Sequence, residues 1–463
     1  MSSLHDPIIA LSTAQGEAAI AVIRLSGTGV IEIVDKVFHG KNLSKVAGHT
    51  VHYGKIKTDA DVIIDECMAS VFRAPRSYTR EDSIEISCHG SSYIVKEIIA
   101  LFLGKGVRLA QPGEYTQRAY LNGQLDLTQA EAVADLISST TASQHELAMN
   151  QMRGGFSKMI AGLRGELIEF ASLIELENDF GEEDVEFADR SKLKGLVHKI
   201  RQVIIELRNS FQYGNAIKEG VPIAIVGRPN VGKSTLLNAL LNDEKAIVSA
   251  IAGTTRDVIE DTIQIDGLLL RFLDTAGLRE TEDEIESIGI SRTKEQIEKA
   301  KIILYLDEIE EDHKAIVDRF LAFKIDPKEK QIIILLNKSD NFHACHSYDV
   351  EEAVSTLTGR LPVISFSAKE KTRLAELQKL IITSITQRNQ RPNATITNMR
   401  HYQALQSTDD SLAQVMTGLE TGISSDFIAM DIRHALHHLG EITGEITTDD
   451  LLESIFSNFC IGK

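Results

Sequence analysis

The chain has 463 residues, 43% hydrophobic and 25% charged, with a formal charge of −18; that length and make-up suit two to four ordinary globular domains. The acidic balance argues against holding nucleic acid by a broad basic face, while leaving room for a local basic groove or a basic partner. No run of about 18 apolar residues offers a membrane span, the first residues lack a secretory-signal pattern, and the four cysteines (Cys67, Cys88, Cys345, Cys460) form no CxxC pair, so a reduced, cytoplasmic chain without structural zinc is expected.

Residues 1–120 mix β-rich and helical runs. AIAVIRLSG (19–27), HTVHYGKI (49–56), CMASVFRA (67–74) and SIEISCHG (83–90) read as strands, the last by its apolar/polar alternation. SYIVKEIIALFLGKG (92–106) carries apolar residues at helical spacing, with Gly104 or Gly106 as the stop. An α+β domain is expected over 1–120. From 121 to 215 the pattern turns helical, with Asp126 as an N-cap and long 3.6-residue periods over 143–178 and 191–213. The acidic run 177–190 between them reads as a solvated loop.

Residues 216–386 alternate strands (VPIAIV, EDTIQI, LLRFLD, IILYL, QIIILLN, PVISFS) with helices near 233–242, 289–300, 313–323 and 371–386. Such alternation implies a sheet covered on both faces. Residues 387–463 return to helical patterns at 399–421, 426–439 and 449–459. Helical material on both sides of an α/β domain reads as one discontinuous helical domain, 121–215 with 387–463, carrying an insertion.

GRPNVGKST (227–235) matches G-x-x-x-x-G-K-[ST] at Gly227, Gly232, Lys233 and Ser234, after an apolar strand and opening a helix. Glycines let backbone N–H groups turn inward onto phosphate, and the helix adds its positive end. Asn230, Val231 and Thr235 line the same cradle. Lys233 reaches β/γ oxygens and the Ser234 hydroxyl suits Mg²⁺. DTAG (Asp274, Thr275, Ala276, Gly277) follows a strand, where Asp274 suits an indirect, water-mediated Mg²⁺ contact and Gly277 can report loss of the γ-phosphate. In NKSD, Asp340 can accept hydrogen bonds from the guanine N1–H and 2-amino groups, a donor pair adenine lacks, while Asn337 and Lys338 frame the ring. SAK (Ser367, Ala368, Lys369) offers a backbone N–H to guanine O6. In GTTRD (253–257), Thr254 or Thr255 can ligate Mg²⁺, or the segment is a polar loop.

The residue after DTAG is Leu278, which cannot orient an attacking water as Gln does in many GTPases. Glu280, Glu282, Asp283, Glu284 and Glu286 follow, and charge alone does not choose among them. Arg256 and Arg279 are candidate charge stabilisers, and the Asn230 amide can bind a monovalent cation beside the phosphates. Cys460 reads either as a nucleophile or as a small buried residue near the chain end. His434, His437 and His438 read as an ordinary helix face.

With AVIRLSG, SYTREDSIEISCHG, PGEYTQRAYLNGQLDLTQAEAVADLI and ITGEITTDDLLESIFSNFCIGK, the whole chain resembles the MnmE (TrmE) family of tRNA-modification GTPases. The resemblance implies a tetrahydrofolate-binding-like opening domain that dimerises, an all-α domain, and an inserted Ras-like P-loop GTPase domain. It implies a K⁺-stimulated GTP hydrolase that works with a FAD-containing partner, MnmG. Together they add a carboxymethylaminomethyl- or aminomethyl-type group at C5 of the wobble uridine of certain tRNAs, using 5-formyltetrahydrofolate or a related one-carbon folate. By this match Asn230, Ser249, Ile251 and Thr254 surround K⁺, with Ala250, Ala252 and Gly253 in the same loop. Thr255 joins Ser234 on Mg²⁺, and Glu286 orients the hydrolytic water. Arg24, Glu85 and Lys463 match the folate pocket, while Gln124 stands where the family usually has Lys. The alternative is a GTP-dependent ribosome or RNA assembly switch without modification chemistry.

Overall fold

The computed structural model describes residues 6–179, 189–241, 247–248, 261–273, 294–327, 330–341, 344–386, 395–457, 459 and 461–462. They fall into two compact units, residues 1–138, 148–200 and 404–463 in the first and 139–147 and 201–403 in the second.

In the first unit the strands are β1 (Ile8–Leu11), β2 (Ala18–Ser26), β3 (Phe38–His39), β4 (Thr50–Lys57), β5 (Ile63–Phe72), β6 (Ser83–Gly90) and β7 (Arg108–Leu109). They form one sheet in the order β3-β4-β5-β6-β2-β1-β7, antiparallel except for the β1–β7 pair. The side-chain period of two decides what each face carries. Ala21, Ile23 and Leu25 of β2 and Ile84, Ile86 and Cys88 of β6 enter one core, closed by α1 (Val30–Asp35) and α2 (Ser92–Leu103). Arg24 and Glu85 alternate onto the opposite face. The α2 helix gives way at Gly104–Gly106, and it is Gly106 that takes the left-handed conformation, at φ 83°.

Helices α3 (Glu114–Leu121) and α4 (Leu127–Ser138) follow. The expected cap is present: the Asp126 carboxylate accepts the Gln129 N–H at 2.9 Å. Over 143–178 the structure departs from a single helical run. Gly154 sits at φ 75° and separates α5 (Ala142–Met152) from α6 (Gly155–Asp179), breaking the single run that the period implied. Buried Phe156, Ile160, Leu163, Leu167, Ala171 and Ile174 form the stripe of α6. Helix α7 (Arg190–Glu219) starts where expected and runs past 213.

In the second unit the strands are β8 (Val221–Val226), β9 (Ile247–Val248), β10 (Asp261–Ile265), β11 (Leu268–Phe272), β12 (Ile302–Glu308), β13 (Gln331–Asn337) and β14 (Val363–Ser365). Their order is β14-β13-β12-β8-β11-β10-β9; β14 to β11 run parallel, and β10 and β9 complete an antiparallel edge. Successive residues feed two cores. Ile223, Ile225, Leu304 and Leu335 pack with α8 (Lys233–Leu241) and α11 (Leu374–Thr386). Ala224, Val226, Tyr305 and Ile334 pack with α9 (His313–Ala322) and α10 (Ala344–Leu357). The strand-and-helix alternation therefore produced the sheet covered on both faces that it implied. The α10 helix had no counterpart in the sequence reading. The chain ends in α12 (Met399–Thr421), α13 (Ser425–Thr443), which packs along α6, and α14 (Asp449–Phe456).

Candidate nucleotide-binding site

The phosphate loop lies between the C-terminal end of β8 and the N-terminal end of α8. Its glycines are required by space as well as by backbone angle. Gly227 has φ 153°, and a Cβ there would lie 2.1 Å from the Leu306 carbonyl oxygen. Gly232 has φ 100°, and a Cβ there would lie 2.3 Å from Asn337 Nδ2. Asn230 also adopts the left-handed conformation, at φ 63°, and is exposed. The Lys233 ammonium donates to the carbonyls of Gly227 at 2.9 Å and Arg228 at 2.7 Å, arching over the loop. Burial lowers its pKa from the usual lysine range. Ser234 and Thr235 open α8 on the exposed side, which suits a cation-ligating hydroxyl beside phosphate.

The base-reading residues converge on the same loop. Asn337, buried at the end of β13, donates from Nδ2 to the Val231 carbonyl at 2.8 Å and accepts the Ala368 N–H on Oδ1 at 3.0 Å. One side chain thus ties the phosphate loop to the Ser367–Lys369 segment. The Ser367 hydroxyl accepts the Glu370 N–H at 3.2 Å, and Ser367 N–H donates to Thr372 Oγ1 at 3.1 Å. The Asp340 carboxyl is held below the usual carboxylate range, first by a hydrogen bond from the Ser367 side chain, with Lys369 and Lys338 adding positive charge. Lys338, at φ 65°, pairs with Glu308. The structure therefore brings together Asn230, Val231, Gly232, Lys233, Ser234, Asn337, Lys338, Asp340, Ser367, Ala368 and Lys369. Ser249, Ala250, Ile251, Ala252, Gly253, Thr254, Thr255, Asp274, Thr275, Ala276, Gly277 and Glu286 lie outside the described residues.

A second constellation sits on the face of the first sheet that carries Arg24 and Glu85. Arg24 and Glu85 are cross-strand partners, joined by Arg24 Nε and Nη2 to Glu85 Oε1 at 2.9 and 2.8 Å. The Arg24 guanidinium lies 5.5 Å from the Tyr78 ring centroid and 5.7 Å from that of Tyr115, whose hydroxyl donates to the Arg24 carbonyl. The Gly462 carbonyl accepts from Arg24 Nη1 at 3.4 Å and from Ser12 Oγ at 3.3 Å. Gly462, at φ 99°, allows that approach, since a Cβ would come within 2.4 Å of the Leu11 carbonyl. Gln124 accepts from Arg80 Nε at 2.9 Å. Cys460 and Lys463 lie outside the described residues. Sequence reasoning did not assign Tyr78 and Tyr115, although both stand in the strings that carried the resemblance. On α13, His438 lies 3.1 Å and His437 3.5 Å from Glu441. Among the described residues no helix is long and apolar enough to cross a membrane.

A mostly parallel sheet, a glycine loop at the N-terminus of α8 and an Asn-Lys-Ser-Asp turn locked onto that loop define a P-loop guanine-nucleotide-binding protein. The profile of the MnmE helical domain matches residues 127–460, and that of the GTP-binding protein TrmE N-terminus matches residues 7–124. Curated proteins named tRNA modification GTPase MnmE are 51% identical in Bacteroides thetaiotaomicron, over 99% of this chain and 100% of the relative, and 49% identical in Cytophaga hutchinsonii, over 99% and 98%. The chain belongs to the MnmE family. A crystal structure of Aquifex aeolicus Era bound to GDP.AlF4- is 27% identical, with a TM-score of 0.28, over 41% of this chain and 65% of that one.

Proposed function

We propose that the chain is a GTP hydrolase acting in tRNA modification. One observation carries this reading: the loop around Lys233 and the Asp340 turn are coupled through Asn337 in a chain about half identical, end to end, to tRNA modification GTPases. Lys233 meets the β/γ-phosphates, Asn337 holds the two loops in register, and the Asp340 carboxylate accepts from N1–H and the 2-amino group of guanine. At neutral pH that carboxylate is ionised and only accepts.

The donor set of the loop fits cations. Ser234 and Thr255 are assigned to Mg²⁺; Asn230, Ser249, Ile251 and Thr254 to K⁺; and Glu286 to orienting water. Bound cations offset charge developing on the phosphates. Arg24 and Glu85, with Lys463, are assigned to a one-carbon folate. A guanidinium beside a carboxylate, between Tyr78 and Tyr115, offers the donor, acceptor and ring surfaces that a pterin complements. In the full reading, residues 1–120 bind folate and dimerise, 121–215 with 387–463 form the helical domain, and 216–386 the GTPase domain. A homodimer works with a FAD-containing MnmG-type partner in the cytoplasm to modify C5 of wobble uridine.

The test is mass spectrometry of wobble uridines in bulk tRNA after deletion of the gene. Loss of the C5-substituted nucleosides, restored by the wild-type gene and not by Lys233→Ala, is expected. Unchanged wobble uridines with accumulating ribosomal precursors would establish the assembly-switch alternative instead.

A further inference from the structure

Strand β12 ends in Leu306-Asp307-Glu308, directly beside the phosphate loop, and none of these residues belongs to a nucleotide motif. Asp307 is 0% exposed. A carboxylate at that depth is stable only when its oxygens are paired. Arg228 Nη2 donates to Oδ1 at 2.8 Å, as does the Glu308 N–H at 2.9 Å. Arg319 Nε, from α9, donates to Oδ2 at 2.7 Å, and the Tyr305 hydroxyl lies 3.2 Å from the same oxygen. Of these partners only Arg228 belongs to the phosphate loop. It follows Gly227, and its carbonyl is one of the two that Lys233 Nζ holds.

We infer that Asp307 is a positioning residue for nucleotide binding: through Arg228 it fixes the entry of the phosphate loop, as Asn337 fixes its far side at Val231. The inference rests on the proposed nucleotide site and deepens it. The first turn of the loop has Gly227 seated against the Leu306 carbonyl, where no side chain fits; Arg228, Pro229 and Asn230 are exposed, and the loop's buried apolar side chain comes only at Val231. Its geometry at Arg228 is therefore set by the charge beneath. Preorganised backbone donors bind phosphate without the cost of ordering them first. A loop freed at Arg228 has to be ordered by the nucleotide itself, and its Lys233 carbonyl partners shift with it. Because the contact lies at the loop's entry rather than at the γ-phosphate, GDP and GTP lose alike. Glu308 acts in parallel on the other motif, holding Lys338.

Equilibrium titration of mant-GDP and mant-GTP into the full-length chain, paired with thermal melts, tests this. Wild type is measured first; if it binds neither nucleotide, the site reading itself fails. Given wild-type binding, Asp307→Asn and Arg228→Gln are each expected to raise Kd for both nucleotides about tenfold. The double variant should be no worse than either single one, the non-additivity of residues acting as a pair. Arg319→Gln removes the other cation, on α9, and is expected to lower Tm while leaving Kd within about twofold. The inference is overturned if Arg228→Gln, with its fold verified by circular dichroism, binds both nucleotides as wild type does. It is equally overturned if the losses of Arg228 and Arg319 raise Kd in proportion to their effect on Tm, which would make Asp307 general packing.

Discussion

At the scale of single residues, the site depends on a few contacts that leave no slack. Gly232 is one. Its φ of 100° and the 2.3 Å approach of Asn337 Nδ2 to a Cβ at that position mean that Gly232→Ala displaces the amide that ties Val231 to Ala368. Strain of about 1–3 kcal/mol attends such a substitution, so GDP affinity should fall by about 5- to 150-fold, read by isothermal titration. Unchanged affinity would mean that Asn337 does not couple the two loops. Asp340→Asn makes the complementary test. An amide cannot accept from both N1–H and the 2-amino group as the carboxylate does, so GDP binding should weaken by about a hundredfold, with charged hydrogen bonds contributing roughly 1.5–3 kcal/mol each. XDP, which carries an oxygen in place of the 2-amino group, should gain relative to GDP. The motif residues were legible in sequence because their chemistry is local. Asp307 was not, since its significance lies in Arg228 and Arg319 arriving from separate elements.

At the scale of elements, strands β6 and β8 were readable from alternation and apolar runs, and α12 from its period. The α10 helix was missed for a physical reason. Among its described buried residues only Val350 and Val354 are aliphatic, and Ser347 completes the inner face, so no apolar stripe announces it. The join of α3 to the first sheet was equally silent. Arg118, 1% exposed, bridges Glu114 and Glu81, and Arg108 pairs with Glu114 from β7. Burial opposes charge on Glu114, yet hydrogen bonds from Arg108, the Gln111 N–H and Arg118 outweigh it and hold the carboxyl at about 2. The folded-state pKa is below the unfolded value, so the stabilisation is fully present above about pH 5 and is lost as pH falls toward 2. It amounts to roughly 3 kcal/mol. Urea midpoints for wild type should drop across that window, whereas Glu114→Gln should be less stable at neutral pH and flatter below it. Parallel pH profiles would remove Glu114 from this account.

At the scale of the whole molecule, the helices on both sides of the nucleotide-binding sheet were readable from their periods, and the two family matches cover residues 7–124 and 127–460. The contact of Gly462 with Arg24 on β2 joins distant positions of the chain; no periodicity or spacing announces it, and only the resemblance, which put Arg24 and Lys463 in one pocket, pointed to it. If a monovalent cation at Asn230 supplies the charge that an arginine supplies elsewhere, GTP turnover should be high in KCl and collapse in NaCl at equal ionic strength; equal rates would exclude that role. The most direct measurement is competition on the full-length chain, in which GTP and ATP are each titrated against bound mant-GDP in the presence of Mg²⁺. Complete displacement by GTP, at concentrations where ATP displaces none, is the predicted result. Displacement by ATP at matching concentrations would contradict a pocket in which Asp340 selects the base.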